Sequence, residues 1–244
     1  LAIYRNFINV FDKYSDYPLN KEEDIKKINK KTLGYEDLAA LVYINLRFYG
    51  YKGNDKYIHV VLDEAQDFGL FHYFVIKNLF KNATFSIFGD LAQSIYSYQS
   101  IDNWEEVKSI IYNNDINILP LDKSYRTTCE IMAAANKVSG MYGFGMAQSF
   151  LRHGPEVSFI KYNEINLLEK IKSLKDCGYS NIAVICKSKK SIEKYVEDIN
   201  VSGVSVITSY LSKGLEFDCC IVIDVDFDRN NMLDMKLLYV AMTR

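Results

Sequence analysis

Short apolar runs alternate with helical patterns along most of the chain, and polar residues gather where the runs stop. Residues 57–62, ending His59-Val60-Val61-Leu62, are rich in β-branched residues and predict a buried strand. Ala83–Phe88 predicts a second, with an apolar helix over Leu70–Phe80 between them. Two such strands joined by a helix imply a parallel βαβ unit, whose polar strand ends share one sheet edge. Upstream, residues 1–56 are helical in pattern. Lys21–Lys31 predicts a charged, exposed helix. Tyr35–Tyr49 carries Leu38, Leu41, Val42, Leu46 and Phe48 on a broad stripe and predicts a core-facing helix. Downstream come a helix over Trp104–Tyr112, a strand over Ile116–Leu121, and a helix from near Glu130 capped by Thr127 or Thr128. The glycine-bearing stretch Gly140–Gly154 is loop-like. Strands over Val157–Tyr162, Asn181–Cys186, Val204–Ile207 and Cys219–Ile223 then alternate with helices over Ile165–Lys175 and Ser191–Ile199. A helix over Lys236–Arg244 ends the chain.

The strand ends carry the candidate chemistry. Asp63 and Glu64 follow the first strand. Adjacent carboxylates are costly unless a cation or a proton lies between them. One solution divides the labour: Asp63 holds Mg²⁺ on a nucleotide while Glu64 orients or deprotonates the attacking water. An acidic turn after a core strand is the plainer alternative. The second strand leads to Gly89-Asp90 and then Gln93, whose amide both donates and accepts and so can report the state of a phosphate. Tyr96 and Tyr98 beyond it are core aromatics or a platform for unstacked bases. Arg126, between a strand end and a helix start, has a planar fork suited to a phosphoryl oxygen, or is a surface arginine. Thr208–Asp218 is a polar loop in which Lys213 offers a cation, Gly214 a tight turn and Glu216 an acceptor for a ribose hydroxyl. Arg244 stands at the end of the last helix. The Lys26, Lys27, Lys30, Lys31 cluster and the Lys187, Lys189, Lys190 run are solvated helix surfaces or phosphate contacts.

Composition narrows the class. At 244 residues, 49% hydrophobic and 25% charged, the chain is an ordinary globular sequence able to bury a core. A net charge of −2 supplies no global basic field, so nucleic acid would be held by a local patch. Five cysteines without metal-ligand spacing indicate reduced thiols and a cytoplasmic location. Three scattered histidines make a zinc site a poor fit, and no apolar run is long enough for a membrane span. Leu1 in place of Met, and Arg244 directly after an apolar helix, suggest a piece of a longer protein.

Five segments, taken in order, resemble the motifs of the UvrD/Rep-type superfamily 1 DNA helicases. Val-Leu-Asp-Glu-Ala-Gln-Asp (61–67) resembles their Walker B motif. Phe-Gly-Asp-Leu-Ala-Gln-Ser-Ile-Tyr (88–96) resembles the third motif and Lys-Ser-Tyr-Arg (123–126) the fourth. Thr208–Asp218 resembles the fifth, and Leu-Leu-Tyr-Val-Ala-Met-Thr-Arg (237–244) the sixth. The resemblance implies an α/β fold of RecA-like parallel sheets flanked by helices. Residues 1–115 would be the C-terminal part of a first lobe and 116–244 a nearly complete second lobe. It implies ATP as substrate with Mg²⁺ on Asp63 and, in part, Glu64, and Glu64 as general base. Gln93, Arg126 and Arg244 would meet the γ-phosphate, Glu216 the ribose, and Lys213 and Gly214 the nucleotide loop. Tyr96, Tyr98, Ser209 and Tyr210 fall where the family contacts single-stranded DNA or RNA.

Three departures qualify the match. No Gly-x-x-x-x-Gly-Lys-Ser/Thr occurs, so the phosphate-cradling loop is expected in a missing N-terminal part of the chain, and the 244 residues alone should not turn ATP over. The span from Arg126 to Thr208 is too short for the accessory domain of unwinding members. Tyr210 stands where those members commonly carry His. With Tyr-Glu-Asp-Leu-Ala at 35–39, this form is closer to helicase-like ATPases that act on bacterial RNA polymerase. The leading expectation is an ATP-driven translocase on single strands. The alternatives are an RNA-polymerase-dissociating ATPase, a non-enzymatic binding module that lost its phosphate loop, and an unrelated doubly wound α/β protein.

Overall fold

A computed structural model describes residues 1–10, 20–51, 57–96, 100–111, 116–143, 146–161, 166–196, 199–223 and 225–244. They fall into two compact units: Leu1–Gly89 with Tyr98–Ile116, and Asp90–Ser97 with Asn117–Arg244.

The first unit opens with three helices, α1 (Ala2–Val10), α2 (Lys21–Lys30) and α3 (Tyr35–Tyr49). Asn20 caps α2 by accepting from the Glu23 N–H, and Glu22, Glu23 and Asp24 in the first turn with Lys27 and Lys30 in the last complement the helix dipole. Ile28 points inward while Lys26, Lys30 and Lys31 stay exposed and Lys27 pairs with Glu23, so this helix has the charged outer face its sequence predicts. β1 (His59–Leu62), α4 (Leu70–Leu79) and β2 (Thr84–Ile87) follow, and the two strands pair in parallel with His59 opposite Thr84 and Leu62 opposite Ile87. The anticipated βαβ unit is therefore present, but its strands are not buried as expected: His59 and Val61 of β1 and Thr84 of β2 are exposed. A short α5 (Trp104–Glu106) runs into a π-helical turn over Val107–Ile111.

Helix α3 departs from its expected role. Of its residues only Ala39 is fully buried, while Leu38, Val42 and Phe48 are exposed. Its apolar stripe is wider than the surface α1 and α4 offer. What remains is an open groove of about 390 Å³ lined by Leu38, Leu41, Val42, Leu46, Tyr51 and Leu79.

The second unit is built on a three-stranded parallel sheet of β5 (Ile182–Cys186), β6 (Val204–Thr208) and β7 (Cys219–Val222), in the order β6-β5-β7. All five β5 residues are buried because both faces are covered. Val184 and Cys186 pack with Ile171 of α7 (Leu167–Asp176), Tyr195 of α8 (Lys189–Val196) and Ile199. Ala183 and Ile185 pack with Ala241 of α10 (Met232–Met242). This two-faced burial is why β5 has no polar alternation. Between β6 and β7 the expected loop contains a single helical turn, α9 (Ser209–Ser212), capped by Thr208. Thr128 caps α6 (Cys129–Met141), as its sequence predicts.

Two expected strands do not form. Residues 117–122 join no sheet, and Leu119 and Leu121 are about four-fifths exposed (80% and 82%). Pro120 removes an N–H from the run, and pairing starts only at β3 (Lys123–Ser124), which meets β4 (Gln148–Ser149) over two residues. Residues 157–161 are likewise unpaired, with Phe159 exposed, and Tyr162 lies outside the described residues. The architecture is thus mixed α/β with small parallel sheets. No disulfide joins the five cysteines, and burial pushes the Cys220 thiol up to about 12. Among the described residues no helix is long and apolar enough to cross a membrane.

Two predictions follow from this packing. Ile185→Ala, at the centre of the covered sheet, should destabilise the second unit by about 3 kcal/mol in urea titration. Glu130 accepts from His153 at 2.9 Å and from the Gly154 N–H, which hold its carboxyl down to about 2 from 4.5. A depressed folded value stabilises fully above about pH 4.5 and loses that effect as pH falls towards 2. Thermal midpoints of Glu130→Gln should therefore fall less steeply with acid than wild type over that window.

Candidate functional site

In the first unit, β1 delivers Asp63 and Glu64 to its C-terminal end with both side chains exposed. The chain then turns sharply. Glu64 takes a left-handed backbone, φ +48°, and Ala65–Asp67 form one 3₁₀ turn. Asp63 Oδ1 accepts from the Glu64 N–H at 2.8 Å. The turn is tied to β2 by the Ala65 N–H donating to the Phe88 carbonyl at 2.9 Å, and to α4 by the Tyr73 hydroxyl donating to the Ala65 carbonyl. Two exposed oxygen-bearing side chains on a fixed turn suit a hard cation and a water.

In the second unit, Asp90 caps a 3₁₀ turn over Leu91–Gln93 by accepting from the Ala92 N–H. Gln93 is the hub. Its Nε2 donates to Asp90 Oδ2 at 2.7 Å, its Oε1 accepts from the Arg244 guanidinium, and its carbonyl accepts from Lys213 Nζ at 2.7 Å. The segment is held by Ile95 packing on Leu237 and Val240, and by Ala92 packing on Ala135 and Tyr239. Burial first, and the Asp90 charge second, push the Tyr239 phenol up to about 12, against the opposing pull of Arg244.

Arg126 takes a different partner from Arg244. Its guanidinium meets Glu216 Oε1 at 2.6 Å and donates to the Leu215 carbonyl at 3.2 Å. Gly214, at φ +78°, makes the turn that brings Leu215 and Glu216 there. Lys213 also lies over the Tyr96 ring, 5.9 Å from its centroid, and Tyr96 faces Tyr210 at 6.1 Å. Ser209 is fully buried with its hydroxyl donating to the Cys186 carbonyl, and Tyr98 lies outside the described residues.

Three features escaped the sequence reading. Lys187 is no surface lysine: it donates to Asp234 Oδ2 at 2.6 Å and to the Asp226 carbonyl at 2.7 Å, clipping residues 226–234 over the end of β5. Its position directly after a wholly apolar strand was the available signal. Tyr125, beside Arg126, is 68% exposed with Phe150 at 4.9 Å, an open aromatic pair next to a guanidinium. Gln66 is completely buried, as is Ala65, in a turn whose Asp63 and Glu64 are exposed.

Comparison with protein families gives two matches that agree with this order of segments. A model of the UvrD/REP helicase N-terminal domain matches residues 6–108, and one of the UvrD-like helicase C-terminal domain matches residues 203–244. No individual curated protein matches the chain significantly. The N-terminal match takes in the turn at Asp63–Glu64 and the Gln93 hub, and the C-terminal match takes in Lys213, Glu216 and Arg244. With these two domains of one family matched in its order, over residues 6–108 and 203–244, the chain belongs to the UvrD/Rep-type helicases.

Proposed function

We propose that the full protein is a motor ATPase that couples Mg²⁺-dependent ATP hydrolysis to movement along single-stranded nucleic acid. The observation that carries this reading is the convergence on Gln93 of its neighbour Asp90 with Lys213 and Arg244 from two distant segments. An amide that holds an arginine and a lysine-bound backbone is what a phosphate sensor requires, because a γ-phosphoryl group would compete for the same donors. Asp63 and Glu64 would hold the Mg²⁺ that neutralises charge on the nucleotide. Glu64 would also position and deprotonate the attacking water. Arg244 and Arg126 would offset the negative charge that grows on the transferred group. Glu216 would accept from the ribose, the turn at Lys213–Gly214 would border the nucleotide, and the exposed Tyr125–Phe150 pair would take a flat base.

Tyr96 and Tyr210, with Tyr98, would stack the bases of a single strand, and buried Ser209 would support that platform from beneath. Lys213 contacts both Gln93 and Tyr96, so a change at the phosphate end has a direct route to the aromatic pair. Residues 1–115 and 116–244 would be the two RecA-like lobes, with segment 90–97 packed on the second.

The test is ATP hydrolysis by the full-length gene product. Single-stranded DNA should stimulate it, and Arg244→Ala should lower kcat about a thousandfold. Glu64→Gln should lower it at least about a hundredfold. Stimulation by RNA polymerase and not by single strands would transfer the motor to that partner. A pure protein without hydrolysis under either condition would leave a binding module.

A further inference from the structure

Gln66 has no exposed surface, yet its amide reaches an exposed carboxylate of the turn. Its Nε2 donates to Glu64 Oε2 at 2.6 Å. A buried amide is costly unless bonded, and a bond to a carboxylate is among the stronger ones. The amide is itself boxed in. A Cβ on Gly89 would lie 2.6 Å from Gln66 Oε1, 2.9 Å from its backbone nitrogen and 2.8 Å from the Trp104 ring, so only glycine closes this wall. The turn beneath is fixed by the Ala65–Phe88 and Tyr73–Ala65 hydrogen bonds. Glu64 is an exposed side chain on a left-handed backbone, so where its carboxylate points depends on such a bond.

We propose that Gln66 is a positioning residue that fixes one oxygen of the Glu64 carboxylate and leaves the other aimed at the attacking water. The proposal rests on Glu64 being the base. A general base must lie within hydrogen-bond reach of the proton it takes, and losing about an ångström of placement costs about a hundredfold in rate. Gly89 and Trp104 form the socket that keeps the amide in place. Nothing in the alternation of apolar and polar residues separates Gln66 from its acidic neighbours.

The test uses Gln66→Met, which keeps the length of the side chain and removes the donor, in the full-length gene product. We expect kcat to fall at least about tenfold while KM for ATP stays within about twofold, because nucleotide binding does not use the bond. In a Glu64→Gln background the same change should cost nothing further, since Gln66 acts through Glu64; a purely structural defect would lower the residual rate again. Gly89→Ala, which displaces the amide without deleting it, should reproduce the kcat effect and serves if the methionine variant does not fold. Wild-type kcat in either folded variant, with Glu64→Gln inactive, overturns the positioning role alone. An active Glu64→Gln protein overturns the reading of Glu64 as base.

Discussion

Parallel strand pairing is the constraint on which the rest depends. In a parallel ladder every strand points the same way, so whatever follows each strand emerges on the same edge. β1 and β2 pair from His59–Thr84 to Leu62–Ile87, and both the acidic turn and Gly89 stand at that edge. In the second unit β5, β6 and β7 are parallel too, so Lys187 and the Thr208–Ser212 turn leave from one end of the sheet. The apolar runs explain the stability of the strands, and their common direction sets which edge of its sheet carries the acidic turn with Gly89, and which carries Lys187 with the Thr208–Ser212 turn.

Charged groups brought close to one another need partners. Gln93 supplies them with one side chain and one carbonyl, which bind Asp90, Arg244 and Lys213 together. The Arg126–Glu216 pair is more exposed, with 39% and 72% of the two side chains open to solvent, so it contributes little to stability and is easily exchanged for a ligand. The Lys187–Asp234 pair is the opposite case. Asp234 is buried, and it also accepts from the Asp228 N–H, which makes this pair a structural clip on α10.

The sequence displays some of this and hides the rest, for physical reasons. β5 shows in it because both of its faces are covered, which demands an unbroken apolar run, and the shorter apolar runs of β6 and β7 flank it. Residues 117–121 and 157–161 carry similar runs but find no ladder partner, and a run alone cannot reveal whether one exists. The α3 stripe shows that a helix forms, not how much of its face is covered. The packing of Ile95 on Leu237 and Val240 places segment 90–97 in the second unit, and contacts so distant in sequence leave no periodic trace. Asp63, Glu64, Gln93 and Arg244 stand out because they fall in segments that resemble the ordered motifs of one helicase family. Gln66 does not, because its burial involves the close approach of Gly89, more than twenty residues away in sequence.

Hydrogen exchange of the full-length gene product, with and without Mg²⁺ and a transition-state analogue of ATP, tests most directly whether these segments form one phosphoryl-transfer set. The account predicts that peptides spanning 62–67, 88–96, 123–126, 208–217 and 237–244 gain protection together, while α7 and α8 are unchanged. Binding of the nucleotide without protection at 62–67 and 237–244 would contradict it.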